Sequence, residues 1–372
     1  MPNTQYLIPN VDWNFYPSAA IYKEDINCMN LQHDFLNAMR LVGDDPADEL
    51  IALLFQQQKQ SGLYAYLKLE DDQIAVQQHT LPVREFLLQP MRKPDWFDTN
   101  KLLRGQRFFK KYALDIMTLL GAKSLPYCYA AFPGNKAIFL TEKMRKTPGK
   151  RLFDTAHFII GVLTEGSFDD AGTGMIQINK TRLIHAIVRY YISTKMAWDN
   201  NALGLPVNQE DMAGTNLAFS FIILDALVKA RFPITKTEQE DFLYTWRFIG
   251  YQLYIDEQLL PASFSEAAAL EQRIRQRHFR ESAEGTLLMA ELLKYYKTAF
   301  PALPAYFVDS QIRYFVGDEI ATLLHLKTHP VKDPFVLLIN RVKQKINRFY
   351  VNPHSYKTVI ANHEKQRMMY AS

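Results

Sequence analysis

The sequence predicts an all-α protein, and three observations carry that prediction. Most of the chain reads as apolar segments of helical length, and runs with strand period are scarce. Cap residues precede several of these segments with acids in the first turn, as at Asp45 and at Thr235 or Thr237. Gly and Pro mark the breaks between them, as at Gly43-Asp-Asp-Pro46, Ala171-Gly-Thr-Gly174 and Gly204-Leu-Pro206. Hydrophobic residues make up 48% of the 372, which supports a substantial core rather than a disordered chain.

In chain order, residues 1–28 carry Pro2, Pro9 and Pro17 without a clear period and read as an extended arm. Leu31 to Gln58 reads as helices broken at Gly43–Pro46, with Asp45 as the N-cap before Pro46. Tyr64 to Val83 is open between a short hairpin and a helix. Pro94-Asp-Trp96 starts a new segment, and Asp98 or Thr99 caps a helix from about Asn100 to Gly121. Tyr127 to Asp170 reads as two or three helices, and Met175 to Trp198 as one long one. After a loop over Asn200–Asn208 come an apolar, buried helix over Glu210–Lys229 and another over Thr237–Tyr251. Phe264–His278, Ala283–Ala299, Val308–Leu326 and Pro334–Phe349 complete the helical chain. The division expected is an arm over 1–28, one helical domain over 29–331, and a basic C-terminal helix and tail over 332–372.

A net charge of +4 does not advertise a nucleic-acid binder. Cys28 and Cys128 are too few for a disulfide framework and fit a reducing compartment. Met1 to Asn10 shows no basic stretch followed by an apolar run, and the longest apolar run, Leu217 to Leu227, is too short to span a bilayer. A cytoplasmic location is the expectation. Residues 332–372 hold eight Lys/Arg against two Asp/Glu, interleaved with Phe335, Phe349, Tyr350 and Tyr356. That composition suits weak contact with an anionic membrane or an acidic partner, or else a charged outer helix with a frayed end. Gly-rich nucleotide loops, HExxH and CxxC are absent. His325 and His329 lack an evident third ligand and read as complements to a helix C-terminus.

The most informative stretch is Lys180-Thr-Arg-Leu-Ile-His185-Ala-Ile-Val-Arg189. On a helix, Arg182, His185 and Arg189 stand at i−3, i and i+4 and project from one face. An imidazole between two guanidinium groups suits a haem, with the ring on the iron and the arginines on propionates. It also suits a solvated basic face with an incidental His.

Five further stretches occur in order with this one: Pro94-Asp-Trp96-Phe-Asp98, Arg151-Leu-Phe-Asp-Thr155, Leu205 to Ser220, Tyr244-Thr-Trp246-Arg-Phe-Ile-Gly250 and Leu259-Leu-Pro261. The set resembles the oxygenase family of the latex-clearing rubber oxygenases and the fungal mpaB-type oxygenases. The resemblance runs from about Asp44 to about Leu326 and is strongest from Arg151 to Pro261. It implies a globin-like helical core around haem b, with O2-dependent oxidation of an apolar, isoprenoid or olefinic substrate. It makes His185 the proximal ligand, with Ala186 allowing close approach of the porphyrin. It makes Arg182 and Arg189 partners of propionates or of the pocket, and Arg151 and Thr155 distal residues. Where rubber oxygenases carry a lysine that can cap the iron, this chain has Asp154. Asp154 is then either a distal acid/base or a solvated surface acid. His157 is either a distal ligand or a packed core histidine. Asn208, Gln209 and Asp211 match the family's polar loop and are expected to cap and orient the next helix. Trp198 and Trp246 are expected in the core, Tyr190 and Tyr191 near the haem edge, and Glu142 or Glu165 at the place of a distal glutamate base. A haem carrier or sensor on the same fold is the first alternative. A helical interaction protein that has lost haem is the second.

Overall fold

The computed structural model describes residues 33–57, 76–77, 79–141 and 148–371. Among them the chain is all helix, turn and loop, with one isolated antiparallel bridge between Ala131 and Phe279. The arm over 1–28 and most of Tyr64–Val83 lie outside the described residues.

The helices are α1 (His33–Met39), α2 (Asp45–Gln56), α3 (Leu81–Leu87) and α4 (Thr99–Leu119), which runs into a π-helical turn over Leu120–Ser124. Next come α5 (Leu125–Ala130), α6 (Gly134–Leu140), α7 (Pro148–Leu163), α8 (Gly174–Lys195) and the short α9 (Asn200–Leu203). Then follow α10 (Gln209–Phe219), α11 (Phe221–Lys229), α12 (Lys236–Gln252) and α13 (Phe264–His278). The chain closes with α14 (Ala283–Ala299), α15 (Ala305–Leu323), α16 (Asp333–Asn347) and α17 (Ser355–Ala371).

Side-chain caps set several of the starts. Asp98 accepts from the Asn100 and Lys101 amides at 2.8 and 3.1 Å, and Thr235 forms a reciprocal capping box with Glu238. Asp44, one residue earlier than expected, caps α2 by accepting from the Ala47 amide; Asp45 is already in the helix. The single helix expected over Glu210–Lys229 is two. The Ser220 hydroxyl donates back to the Asn216 carbonyl at 2.8 Å, and the backbone bends there (φ −112°, ψ −85°). Gln209–Lys229 is the one stretch among the described residues long and apolar enough to cross a membrane, more than the sequence reading allowed. It is mostly buried in the protein, as a core helix is.

The main core forms where α4 lies along α12, with Phe108, Tyr112, Phe242 and Trp246 between them. Gly105 permits this contact: a Cβ there would stand 1.9 Å from Thr245 Oγ1 and 2.4 Å from the Asp241 carbonyl oxygen. A smaller cluster joins α2, α3 and α8 through Ile51, Leu54, Phe86, Leu183 and Ala186.

The C-terminal end is not frayed. Helix α17 packs along α4 and α7, with Val359 and His363 buried. Its first residue is stitched to α4: the Leu114 amide donates to Ser355 Oγ at 2.7 Å. That amide is free for the purpose because Tyr112 leaves helical geometry (φ −114°, ψ 19°) and breaks the local ladder.

Candidate active site

His185 lies mid-way along α8, which packs against α2 on one side and α7 on another. Protein surrounds the ring, yet the residue keeps part of its surface accessible. It makes no hydrogen bond among the described residues. Burial pushes its pKa down to about 3, and the Arg189 and Arg151 charges push in the same direction. The ring is therefore neutral across the physiological range.

Arg182 and Arg189 share the predicted face but turn toward α2. At 3.6 residues per turn they stand about 60° and about 40° from His185, both on the same side. Arg182 is buried in a two-pronged pair with Asp44, Nε to Oδ2 at 2.7 Å and Nη2 to Oδ1 at 2.9 Å. Its guanidinium also lies over the rings of Phe86 and Tyr254. Arg189 donates to both Asp48 carboxylate oxygens and, at 2.7 Å, to the Val207 carbonyl. Its Nη2 is buried and without a partner among the described residues. Both arginines thus serve first to anchor α8 to α2. Ala186 and Ile187 are buried in the cluster that joins α8 to α2.

Arg151, on α7, is the second cation, after Arg189, whose charge acts on the imidazole. Its guanidinium is enclosed by protein and has no ion pair or hydrogen bond among the described residues, and burial lowers its pKa. Its charge acts on His185, on Cys128 and on Tyr129. The Tyr129 hydroxyl is buried without a partner among the described residues, and burial pushes the Cys128 thiol up to about 12. Imidazole, guanidinium and phenol are thus three enclosed polar groups around one region. A buried polar group without a partner is costly, so this concentration marks the region as built to receive something. Tyr129 was not singled out from sequence. Nothing in Leu125-Pro-Tyr-Cys-Tyr-Ala130 separates it from an ordinary core tyrosine.

The rest of the α7 constellation is dispersed. Asp154 accepts from Lys150 Nζ at 2.6 Å, one turn earlier and half-buried. The Thr155 hydroxyl donates to the Arg151 carbonyl at 3.0 Å. His157 belongs to the contact with α17: the Gln177 amide donates to its Nε2 at 2.9 Å, and its Nδ1 is 3.1 Å from His363 Nε2. The two imidazoles and Phe153 form a stack. Glu165 pairs at the surface with Arg107 at 2.7 Å and with Lys110, and the Arg107 hydrogen bond holds its pKa low. Glu142 lies outside the described residues.

Asn208 and Gln209 do what a helix-orienting loop must. Asn208 accepts from the Asp211 amide to cap α10, and Gln209 donates to the Gly43 and Tyr254 carbonyls. Asp211 takes a hydrogen bond from Arg40 at 3.2 Å. Trp246 is in the core; Trp198, half-buried, donates to the Gly204 carbonyl. Tyr190 stacks on Phe55 and Tyr191 is exposed. His325 and His329 pair separately, with Glu281 and Asp309.

Thr155 also lines a cavity of about 840 Å3. Its wall is largely apolar and comes from α4, the π-helical turn, α7, α14, α15, α16 and α17, including Leu119, Leu152, Phe315 and Val359. Asp115 is the one acidic group in that wall, with its pKa raised to about 6 by burial. Tyr296 lines the cavity and acts electrostatically on Tyr129, which in turn acts on Arg151. Leu152 and Thr155, which follow Arg151 on α7, place the cavity beside that part of the helix.

Comparison with known proteins agrees with this architecture. A solved structure of latex clearing protein LCP in the closed state superposes with a TM-score of 0.73, over 88% of this chain and 90% of that one, at 20% identity. The rubber oxygenase of Streptomyces sp. (strain K30) is 22% identical over 328 residues, 87% of this chain and 78% of that protein. The family model described as ER-bound oxygenase mpaB/B'/rubber oxygenase, catalytic domain, matches residues 117–340, a span that holds Arg151, His185 and the Asn208 loop. With more than half of its length in that match, the chain belongs to the mpaB and rubber oxygenase family.

Proposed function

We propose that this oxygenase-family protein depends on haem b and uses O2 on an apolar substrate, with His185 as the axial iron ligand. The observation that carries the reading is His185 itself: enclosed, neutral, still accessible, and without a hydrogen-bond partner among the described residues. Neutral imidazole is the form that binds a metal. The donor set therefore fits the group. Bound haem supplies the redox chemistry that activates O2.

The protein's own groups have distinct tasks in this reading. Arg151 offers an enclosed guanidinium that makes no hydrogen bond to a carboxylate among the described residues, although the Asp154 charge acts on it, and it would suit a propionate. Arg182 and Arg189 hold α8, and with it His185, against α2; only Arg189 Nη2 is left to reach a ligand. Thr155 stands between the Arg151 backbone and the apolar cavity, which is the substrate chamber. Asp154, held by Lys150, is the acid at the edge of the site. Both nitrogens of His157 are engaged by Gln177 and His363, so it would not compete with O2 for a bound haem.

The test is the visible spectrum of protein produced with haem supplied, beside His185→Ala and Arg151→Leu. A Soret band in the wild type that is lost or shifted in His185→Ala is the expected result. Arg151→Leu should retain the band and lose O2 uptake. Absence of a Soret band in the wild type after haem reconstitution overturns the reading.

A further inference from the structure

Helix α16 has its apolar side facing outward. Phe335, Leu338, Val342 and Ile346 are each half-exposed or more, and Phe349, just past the helix end, is 85% exposed. At 3.6 residues per turn these five lie within about 80° of the helix circumference. The opposite side is the inward one: Val336 and Asn340 are buried, and Asn340, Gln344 and Asn347 line the 840 Å3 cavity. An apolar stripe on the solvent side of a helix whose other side already has its packing serves no core.

Charge decides what covers it. Arg341, Lys345 and Arg348 run along one edge of the stripe and Lys343 along the other, all exposed. Asp333 is the only acid in α16, and Glu364 is the only other from there to residue 372. Two copies meeting through this stripe would bring rows of like charge together, which disfavours a dimer. A bilayer with anionic headgroups satisfies both features, since acyl chains take the stripe and phosphates take the cations. Phe300 and Leu303 are exposed as well and line the same cavity, so further apolar surface lies at its rim.

We infer that α16 is an interfacial helix that docks the protein on an anionic lipid surface, with the apolar cavity directly behind it. The inference does not depend on haem or on any activity. It predicts binding of full-length protein to vesicles of phosphatidylcholine mixed with phosphatidylglycerol in equal parts. Binding to phosphatidylcholine alone should be weaker, and added salt should close the gap between the two.

The Leu338→Ser/Ile346→Ser variant should lose more than about tenfold in partitioning. Arg341→Gln/Lys345→Gln/Arg348→Gln should lose the preference for anionic vesicles. All these positions are exposed, and circular dichroism with thermal melting should show wild-type folding in both variants. A Phe349→Trp probe should shift to shorter emission wavelength on vesicle addition. The idea fails if wild type binds neither vesicle, or if the serine variant binds as wild type does. It also fails if light scattering shows a wild-type dimer that the serine variant dissolves while vesicle binding is absent, which would make the stripe a contact between copies.

Discussion

At the scale of single residues, the neutrality of His185 has a thermodynamic signature. An unfolded imidazole titrates near 6.5, and this one near 3. Between those values the unfolded chain binds a proton that the folded chain refuses. Stability therefore falls as pH drops through that window, by about 1.4 kcal/mol per pH unit for this group. His185→Leu should remove that component. Urea unfolding between about pH 6 and about pH 4 should give a slope shallower by one proton in the variant; identical slopes would contradict the burial. Arg182 calls for a different experiment. Its pair with Asp44 is buried, so Arg182→Met leaves a stranded carboxylate and should cost about 3–5 kcal/mol. If its role is to anchor α8, the reconstituted protein should keep its Soret maximum despite that loss. A moved Soret band would return Arg182 to the haem pocket. The helical face carrying Arg182, His185 and Arg189 was legible in the sequence because i−3 and i+4 spacing is local. The capture of the two arginines was not, because Asp44 and Asp48 lie more than a hundred residues away. That Arg151 makes no hydrogen bond among the described residues was hidden for the same reason: it depends on what the fold leaves out of reach.

At the scale of elements, the caps and breakers place most helices within a few residues of their sequence-based bounds. Phe264–His278 and Ala283–Ala299 coincide with theirs, each opened by a capping serine, Ser263 and Ser282. A short helix, α9, forms inside the stretch expected as a loop, and α3 had no counterpart of its own; two further differences have a local cause. Ser220 divides one apolar run into α10 and α11, and an apolar pattern does not register a serine that bonds back to its own helix. Helix α17 escaped notice because its apolar residues are few among polar ones; it is held by Val359, by Tyr356 on Phe109 and Thr164, and by the Ser355 stitch. That stitch is testable. Ser355→Ala strands the Leu114 amide and should cost about 1–3 kcal/mol in denaturant unfolding. Thr235→Ala, which breaks the capping box of α12, should cost about 1 kcal/mol. A loss of similar size in both would show that the α4–α17 seam is no firmer than an ordinary cap.

At the scale of the whole molecule, α17 closes the main core over α4 and α7 and supplies one wall of the large cavity. Ending the chain at Tyr350 should therefore expose the faces around Phe109 and Ile159 and cost about 5 kcal/mol or more. The measurement is thermal unfolding with a hydrophobic dye; a sharp transition without dye binding would contradict that role. The all-α class and the family were readable from composition, periodicity and ordered short stretches. The cavity was not, since its lining is drawn from helices spread over two thirds of the chain. That dispersal has an evolutionary consequence. His185 is held by α2 and α8, neither of which contributes a lining residue to the cavity. The cavity can be reshaped by drift in α4, α14, α15 and α16 while the helix pair that positions His185 stays as it is.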